Sequence, residues 1–173
     1  DIEGWATMPF TEETKERDPR LAQTVLTQNA QYVDGTEGTF NFANTVTGYP
    51  MLKYISGPNY INASTIDVPI YRMAEVYLNY AEAKAELGTL TQDDLDHSVN
   101  LIRDRVGMPH LNKSAANANP DPFLTSELYG YKNVDSGSNK GVILEIRRER
   151  SIEMVSEGIR FSDLCRWREG QLL

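Results

Sequence analysis

At 173 residues, 40% of them hydrophobic, the chain is long enough for one ordinary domain with a substantial core. Its 25 acidic against 17 basic residues leave a net charge of −8, a surface field that repels phosphate backbones and excludes nucleic acid as a partner. No apolar run approaches the roughly 18 residues that span a bilayer, no basic start with an apolar core marks an export signal, and a single Cys165 excludes an internal disulfide and a cysteine-based zinc site.

The first seventy residues are irregular and rich in Thr, Asn and Gly, a composition that favours loops and short strands. Asp18 before Pro19 predicts a cap and first helical residue for a short helix through about Val25. Short strands are expected at residues 53–55 and 39–43. The stretch DIEGWATMPF has no periodicity and the chain stops just after the amphipathic run FSDLCRWREGQLL, so both ends read as cut from a longer protein.

The clearest helix spans about residues 71–87, where Ala74, Leu78, Ala81 and Ala85 recur at helical spacing and Gly88 supplies the left-handed terminus. A second follows at once: Thr91 caps it with Asp94, while Leu95, Val99, Ile102 and Val106 form its apolar face. Gly107 and Pro109 stop it. The small-residue stripe lets a neighbouring helix approach closely, and the pair fits a tetratricopeptide-like unit of about 34 residues. Stable arrays need at least about three such units, so the partners of this one are expected elsewhere in a longer parent.

Residues 110–140, with Pro120, Pro122, Gly130 and Gly137, read as a polar loop well beyond the usual length of about 12–15 residues. A third helix is expected over about residues 142–156, ended by Gly158, and a short fourth over 161–167, in which Cys165 reads as a small core residue.

Glu145, Glu149, Glu153 and Glu157 recur every four residues, so their carboxylates share one stripe of the third helix. Such a stripe repels itself by a few tenths of a kcal/mol per pair, which calls for cations: Arg147, Arg148 and Arg150 from the same helix, Arg103, Arg105 and Arg160 from neighbours. The alternative is a glycosidase pair at Glu149 and Glu153, since retaining enzymes need about 5–5.5 Å between carboxyl groups and inverting ones about 6.5–9.5 Å. Surrounding guanidiniums would depress both carboxyl pKa values and disfavour the protonated acid such chemistry requires. The stripe is therefore read as structural, and no catalytic residue is expected.

His97 and His110 sit in no metal-ligand spacing and read as surface residues, and no metal or cofactor is expected. SGSNKG, from Ser136 to Gly141, lacks the spacing and preceding strand of a phosphate loop. Asp135 with Asn139 lacks the alternating acids of a calcium loop and reads as a flexible turn. Sugar rings stack on aromatic faces while their hydroxyls bond to amides and carboxylates. Trp5, Tyr32, Tyr49 and Tyr60 lie in loops beside Asn29, Asp34, Asn44 and Asn59, which makes Trp5, Tyr32, Tyr49, Tyr60 and Asn59 the carbohydrate-binding candidates; the bland reading packs each ring under its own loop.

Two strong segments and one weaker one occur in a recognisable order. VPIYRMAEVYLNYAEAKAELG from Val68 is followed by VNLIRDRVGMP from Val99; ILEIRRERSIEMVSEGIRFSDLCRW runs from Ile143; RDPRLAQTVL from Arg17 with TGYPMLKY from Thr47 is weaker. Together they resemble the C-terminal half of the SusD/RagB family of surface glycan-binding lipoproteins, over nearly the whole chain from about Arg17. The resemblance implies a mainly α fold with a tetratricopeptide-like helical hairpin plus C-terminal helices. It implies an outward-facing protein of a Bacteroidetes outer membrane, held by an N-terminal lipid anchor not contained in this sequence. Its implied partners are a glycan and a SusC-like TonB-dependent transporter, beside which it captures oligosaccharides without cleaving them.

The expected organisation is a single C-terminal fragment. Residues 1–66 are a loop-rich, ligand-facing part with short strands, 67–109 the helix pair, 110–140 the long loop, and 141–173 the C-terminal helices. The competing function is a protein-interaction scaffold that docks the transporter without touching sugar.

Overall fold

Residues 4, 7–27, 30–32, 34–38, 41, 43, 45–60, 62–134 and 137–173 are described by the computed structural model. The chain divides into two compact units, Asp1–Ile70 and Tyr71–Leu173. The fold is mainly helical, and among the described residues no helix is long and apolar enough to cross a membrane.

In the first unit, α1 (Phe10–Glu13) and α2 (Arg20–Thr24) are short. Pro19 already has helical dihedrals, and Asp18 Oδ1 accepts the Arg20 backbone N–H at 2.9 Å, the cap chemistry expected of Asp-Pro. Residues 53–55 are not a strand. Tyr54 takes φ +63° and Ile55 N bonds back to Leu52 O at 3.1 Å, so the backbone turns instead of entering a ladder. The expected strand at 39–43 lies mostly outside the described residues. What β structure is described there consists of two isolated antiparallel bridges, Val25 with Met51 and Gln31 with Glu37. A small apolar cluster of Leu26, Ala30 and Leu52, with Tyr32 packed on it, completes the unit.

The second unit is built on helices. In α3 (Met73–Glu86) Leu78, Ala81 and Ala85 are fully buried, and Gly88 follows with φ +73°. Thr91 and Asp94 form the expected reciprocal capping box at the start of α4 (Gln92–Asp96). The second helix is nevertheless divided. Ser98 Oγ donates to Asp94 O at 2.5 Å, Ser98 N bonds Leu95 O rather than the i−4 carbonyl, and Ser98 leaves helical dihedrals at ψ −92° before α5 (Val99–Arg105) resumes.

The described residues of 110–140 are not one long loop. Asn112 caps α6 (Lys113–Ala118), whose backbone packs on α7 (Lys140–Glu153). A Cβ at Gly141 would meet Ala116 O at 1.9 Å, so only glycine admits that approach. Leu111, Leu124, Tyr131 and Val134 from the same stretch enter the core.

Helix α7 lies against α3 as well as α6, and almost every residue from Gly141 to Arg150 is buried. The last helix, α8 (Arg160–Arg166), turns Asp163 and Leu164 inward. Cys165 is exposed, not a core residue, because it lies about 100° round the helix from Leu164.

Candidate functional site

Because α7 is enclosed on most sides, most of its charges, though not Lys140 or Arg148, are inside the protein. Glu145, Glu149 and Glu153 are 8%, 2% and 4% exposed, and a buried carboxylate is tolerable only when paired and hydrogen-bonded. Arg103 Nε lies 2.9 Å from Glu149 and its Nη2 3.7 Å from Glu145, while Arg105 Nη2 meets both Glu153 oxygens at 2.9 Å. Arg148 bridges Glu145 and Asp121.

A partner not anticipated from the pattern is Arg72, just before α3, at 2.5 Å from Glu153 and 2.7 Å from Glu157. Arg150 turns instead to Asp163 at 2.7 Å and Asn79 at 2.8 Å. Arg160 does not join the row either: it donates to Ser151 Oγ at 2.7 Å and Tyr131 at 3.1 Å. At Glu145 burial raises the carboxyl pKa above its usual value despite Arg148 and Arg103.

Beside this network, a cleft of about 470 Å³ is lined by Glu82, Glu86, Asn133, Arg147 and residues 166–168. Glu82 is held by Arg166 and by Trp167 Nε1 at 2.6 Å, and the Arg147 guanidinium lies 4.9 Å from the Trp167 ring. Arg147 pairs only at 3.4 Å with Glu86 and Glu169, its Nε is the one buried side-chain atom without a partner among the described residues, and burial lowers its pKa.

Of the aromatic candidates of the first unit, Tyr32, Tyr49 and Tyr60 are described. Trp5, with Asn29 and Asn44, lies outside the described residues. Tyr32 is half-buried on Leu26, Ala30 and Leu52. Tyr49 packs its ring 5.7 Å from Phe10 and donates its hydroxyl to Glu13, which raises its pKa. Tyr60 and Asn59 project from the 3₁₀ turn Pro58–Tyr60, both exposed, and among the described residues no ring contact joins Tyr32, Tyr49 and Tyr60. Asp34 is turned to Thr36, whose hydroxyl and backbone N–H hold its carboxyl below the usual pKa.

His97 and His110 are exposed, against Asp93 O at 2.9 Å and Asp104 at 2.6 Å. Among the described residues no group of three His, Cys, Asp or Glu side chains is placed to hold a metal. Asp135 and Ser136 lie outside the described residues, and Asn139 is buried, its amide 3.4 Å from Ala85 O, rather than in a flexible loop.

Two surface features escaped sequence reasoning. Met73, Val76, Tyr80 and Leu87 stand exposed along α3, at spacings of three, four and seven, on a different face from Leu78, Ala81 and Ala85. Phe123 and Tyr129 stack at 5.7 Å with 14° between their planes, 51% and 60% exposed. The signal for the pair is two aromatics flanking a short turn closed by Gly130, in a stretch expected only to be a loop.

A family model described as SusD family matches residues 3–172. No curated protein and no solved structure matches.

Proposed function

Because the chain belongs to the SusD family, we propose that it is part of a non-catalytic, cell-surface glycan-binding protein that hands oligosaccharides to a TonB-dependent outer-membrane transporter of the SusC type. Glycan binding in nutrient uptake is what membership implies, and the family match across the chain is the observation that carries the reading. The parent would face outward from the outer membrane on a lipid anchor.

Capture of this kind breaks no bond. An aromatic face removes the apolar C–H surface of a sugar ring from water, and amides satisfy its hydroxyls. Of the first-unit candidates, Tyr60 with Asn59 is best disposed for this, both being exposed on one turn, whereas Tyr32 and Tyr49 are engaged with their own unit. Calorimetric titration of the parent with oligosaccharides tests the reading: Tyr60→Ala and Asn59→Ala should weaken binding, and unaltered affinity in both would remove these residues from the site.

A glycosidase through Glu149 and Glu153 is disfavoured by their enclosure, at 2% and 4% exposure, and by their arginine partners. Hydrolysis lost on Glu149→Gln would restore it. The second reading, a scaffold that docks the transporter without sugar contact, is favoured by the exposed α3 stripe. Pull-down of the transporter with Val76→Glu against wild type tests the stripe, and a protein that retains the transporter yet shows no calorimetric glycan binding is the scaffold.

A further inference from the structure

We propose that residues 121–131 form a second glycan contact, a preformed aromatic platform of Phe123 and Tyr129 that receives a neutral sugar ring; the inference rests on the glycan-binding reading above. Aromatic side chains are the largest apolar groups a chain can bury, yet these two stand in water beside residues that do enter the core. Leu124 and Tyr131, their sequence neighbours, are 3% and 7% exposed and anchor the turn from below.

The turn is rigid by construction. Asp121 Oδ1 accepts the Phe123 backbone N–H at 2.8 Å, its Oδ2 takes Arg148 at 2.6 Å, and its carbonyl accepts Thr125 N at 3.1 Å. Tyr129 N donates to Ser126 Oγ at 3.1 Å, Gly130 N to Ser126 O at 2.9 Å, and Tyr131 N to Leu124 O at 2.9 Å. A Cβ at Gly130 would lie 2.5 Å from the Leu124 and Ser126 carbonyl oxygens, so the turn closes only on glycine. Most of the cost of ordering these rings is therefore met before any ligand arrives.

Size and polarity select the occupant. The exposed apolar residues are Phe123, Leu128 and Tyr129, whereas a stable protein interface buries roughly 800 Å² per partner from about 20–30 residues. A sugar ring is the smaller match. Between residues 119 and 130 the chain carries two carboxylates, Asp121 and Glu127, and no basic residue. Asp121 is neutralised by Arg148, so the net charge of the rim rests on Glu127, which accepts hydrogen bonds from sugar hydroxyls and disfavours uronates or sulfated sugars.

The test is calorimetric titration of the full-length parent with α-1,4- and β-1,4-linked glucose hexamers, β-1,4-linked xylose and mannose hexamers, and a galacturonate hexamer. Phe123→Ala/Tyr129→Ala should weaken the bound neutral hexamer about tenfold or more, as for a buried aromatic anchor, with an unchanged melting curve because both rings are exposed. Phe123→Trp should retain binding. Unchanged affinity in the double variant while Tyr60→Ala loses it overturns the platform and leaves the glycan function standing. Binding of the galacturonate hexamer alone overturns the assigned ligand class, and a wild-type parent that binds no hexamer overturns the glycan reading and the platform together.

Discussion

The two units of this chain hold themselves together by different means. In Tyr71–Leu173 a continuous cluster runs through α3, α5, α7 and α8, and charged residues are enclosed within it. In Asp1–Ile70 the described apolar cluster is Leu26, Ala30 and Leu52, joined by the ion pair of buried Arg20 with Asp18 and by backbone bonds such as Leu26 N to Pro50 O at 2.8 Å and Leu52 N to Thr24 O at 2.7 Å. Burial forces uniqueness on the second unit, because each enclosed charge must meet one partner in one geometry. Among the described residues of the first unit the apolar cluster is small, turns fix much of the backbone, and side chains such as Asn59 and Tyr60 face water.

The comparison can be broken most forcefully at Arg103. Arg103→Ala removes the guanidinium 2.9 Å from Glu149, which is 2% exposed, and withdraws a cation from Glu145. Loss of one partner of a buried pair costs about 3–5 kcal/mol, and urea unfolding should show it in full. A change below about 1 kcal/mol would mean that the network is wet and interchangeable, and the contrast between the units would lose its basis.

Next in size are two matched truncations. Leu78→Ala, at 0% exposure in the large cluster, should cost about 2–5 kcal/mol, as expected where surroundings relax only partially. Leu26→Ala, at 5% exposure in the small cluster, should cost about 2 kcal/mol or less, since a loop-built pocket collapses more readily. Equal losses would show that the first unit is as tightly packed as the second.

How much of this was legible in the sequence follows the same division. Periodicity and caps fixed α3, the capping box at Thr91, α7 and α8 closely, because those signals are local. The glutamate row announced that arginines must come, but not which. Arg72 is 81 residues from Glu153, so only the packed fold could nominate it, and Arg150 and Arg160 found nearer partners on other elements. The break at Ser98 depends on one side chain choosing its own i−4 carbonyl. In the first unit the strand at 53–55 failed because a strand exists only with a neighbour, which no local pattern records.

A smaller effect is expected at the cap that sequence identified. Thr91→Ala removes the hydroxyl that accepts Asp94 N at 3.1 Å and donates to its carboxylate at 2.7 Å, and should cost about 1 kcal/mol of stability. Thr91→Ser should recover most of it. A silent Thr91→Ala would mean that tertiary packing alone sets where α4 begins.

The smallest effects are differences in pH slope, and they sharpen the contrast between a carboxylate at a helix start and one inside the network. Asp94 is held below its ordinary pKa of 3.8 by hydrogen bonds from Lys84 first, then Tyr80 and Thr91. Its ionised form is the stabilising one, so its contribution is present above about pH 3.8 and fades as pH falls through the lower folded value. Glu145 is shifted the other way: burial raises its pKa above 4.5, the folded state holds the proton more tightly than the unfolded chain, and ionisation costs stability as pH rises through that window. Asp94→Asn should therefore show a deficit at pH 7 that closes on acidification below pH 3.8. Glu145→Gln should gain on wild type as pH climbs from 4.5 toward 7, since the amide has no charge to desolvate. Urea midpoints measured from pH 3 to 7 for both variants check the signs. Slopes of the same sign would mean that Arg148 and Arg103 outweigh burial at Glu145, making it an ordinary salt-bridged carboxylate despite its place inside the protein.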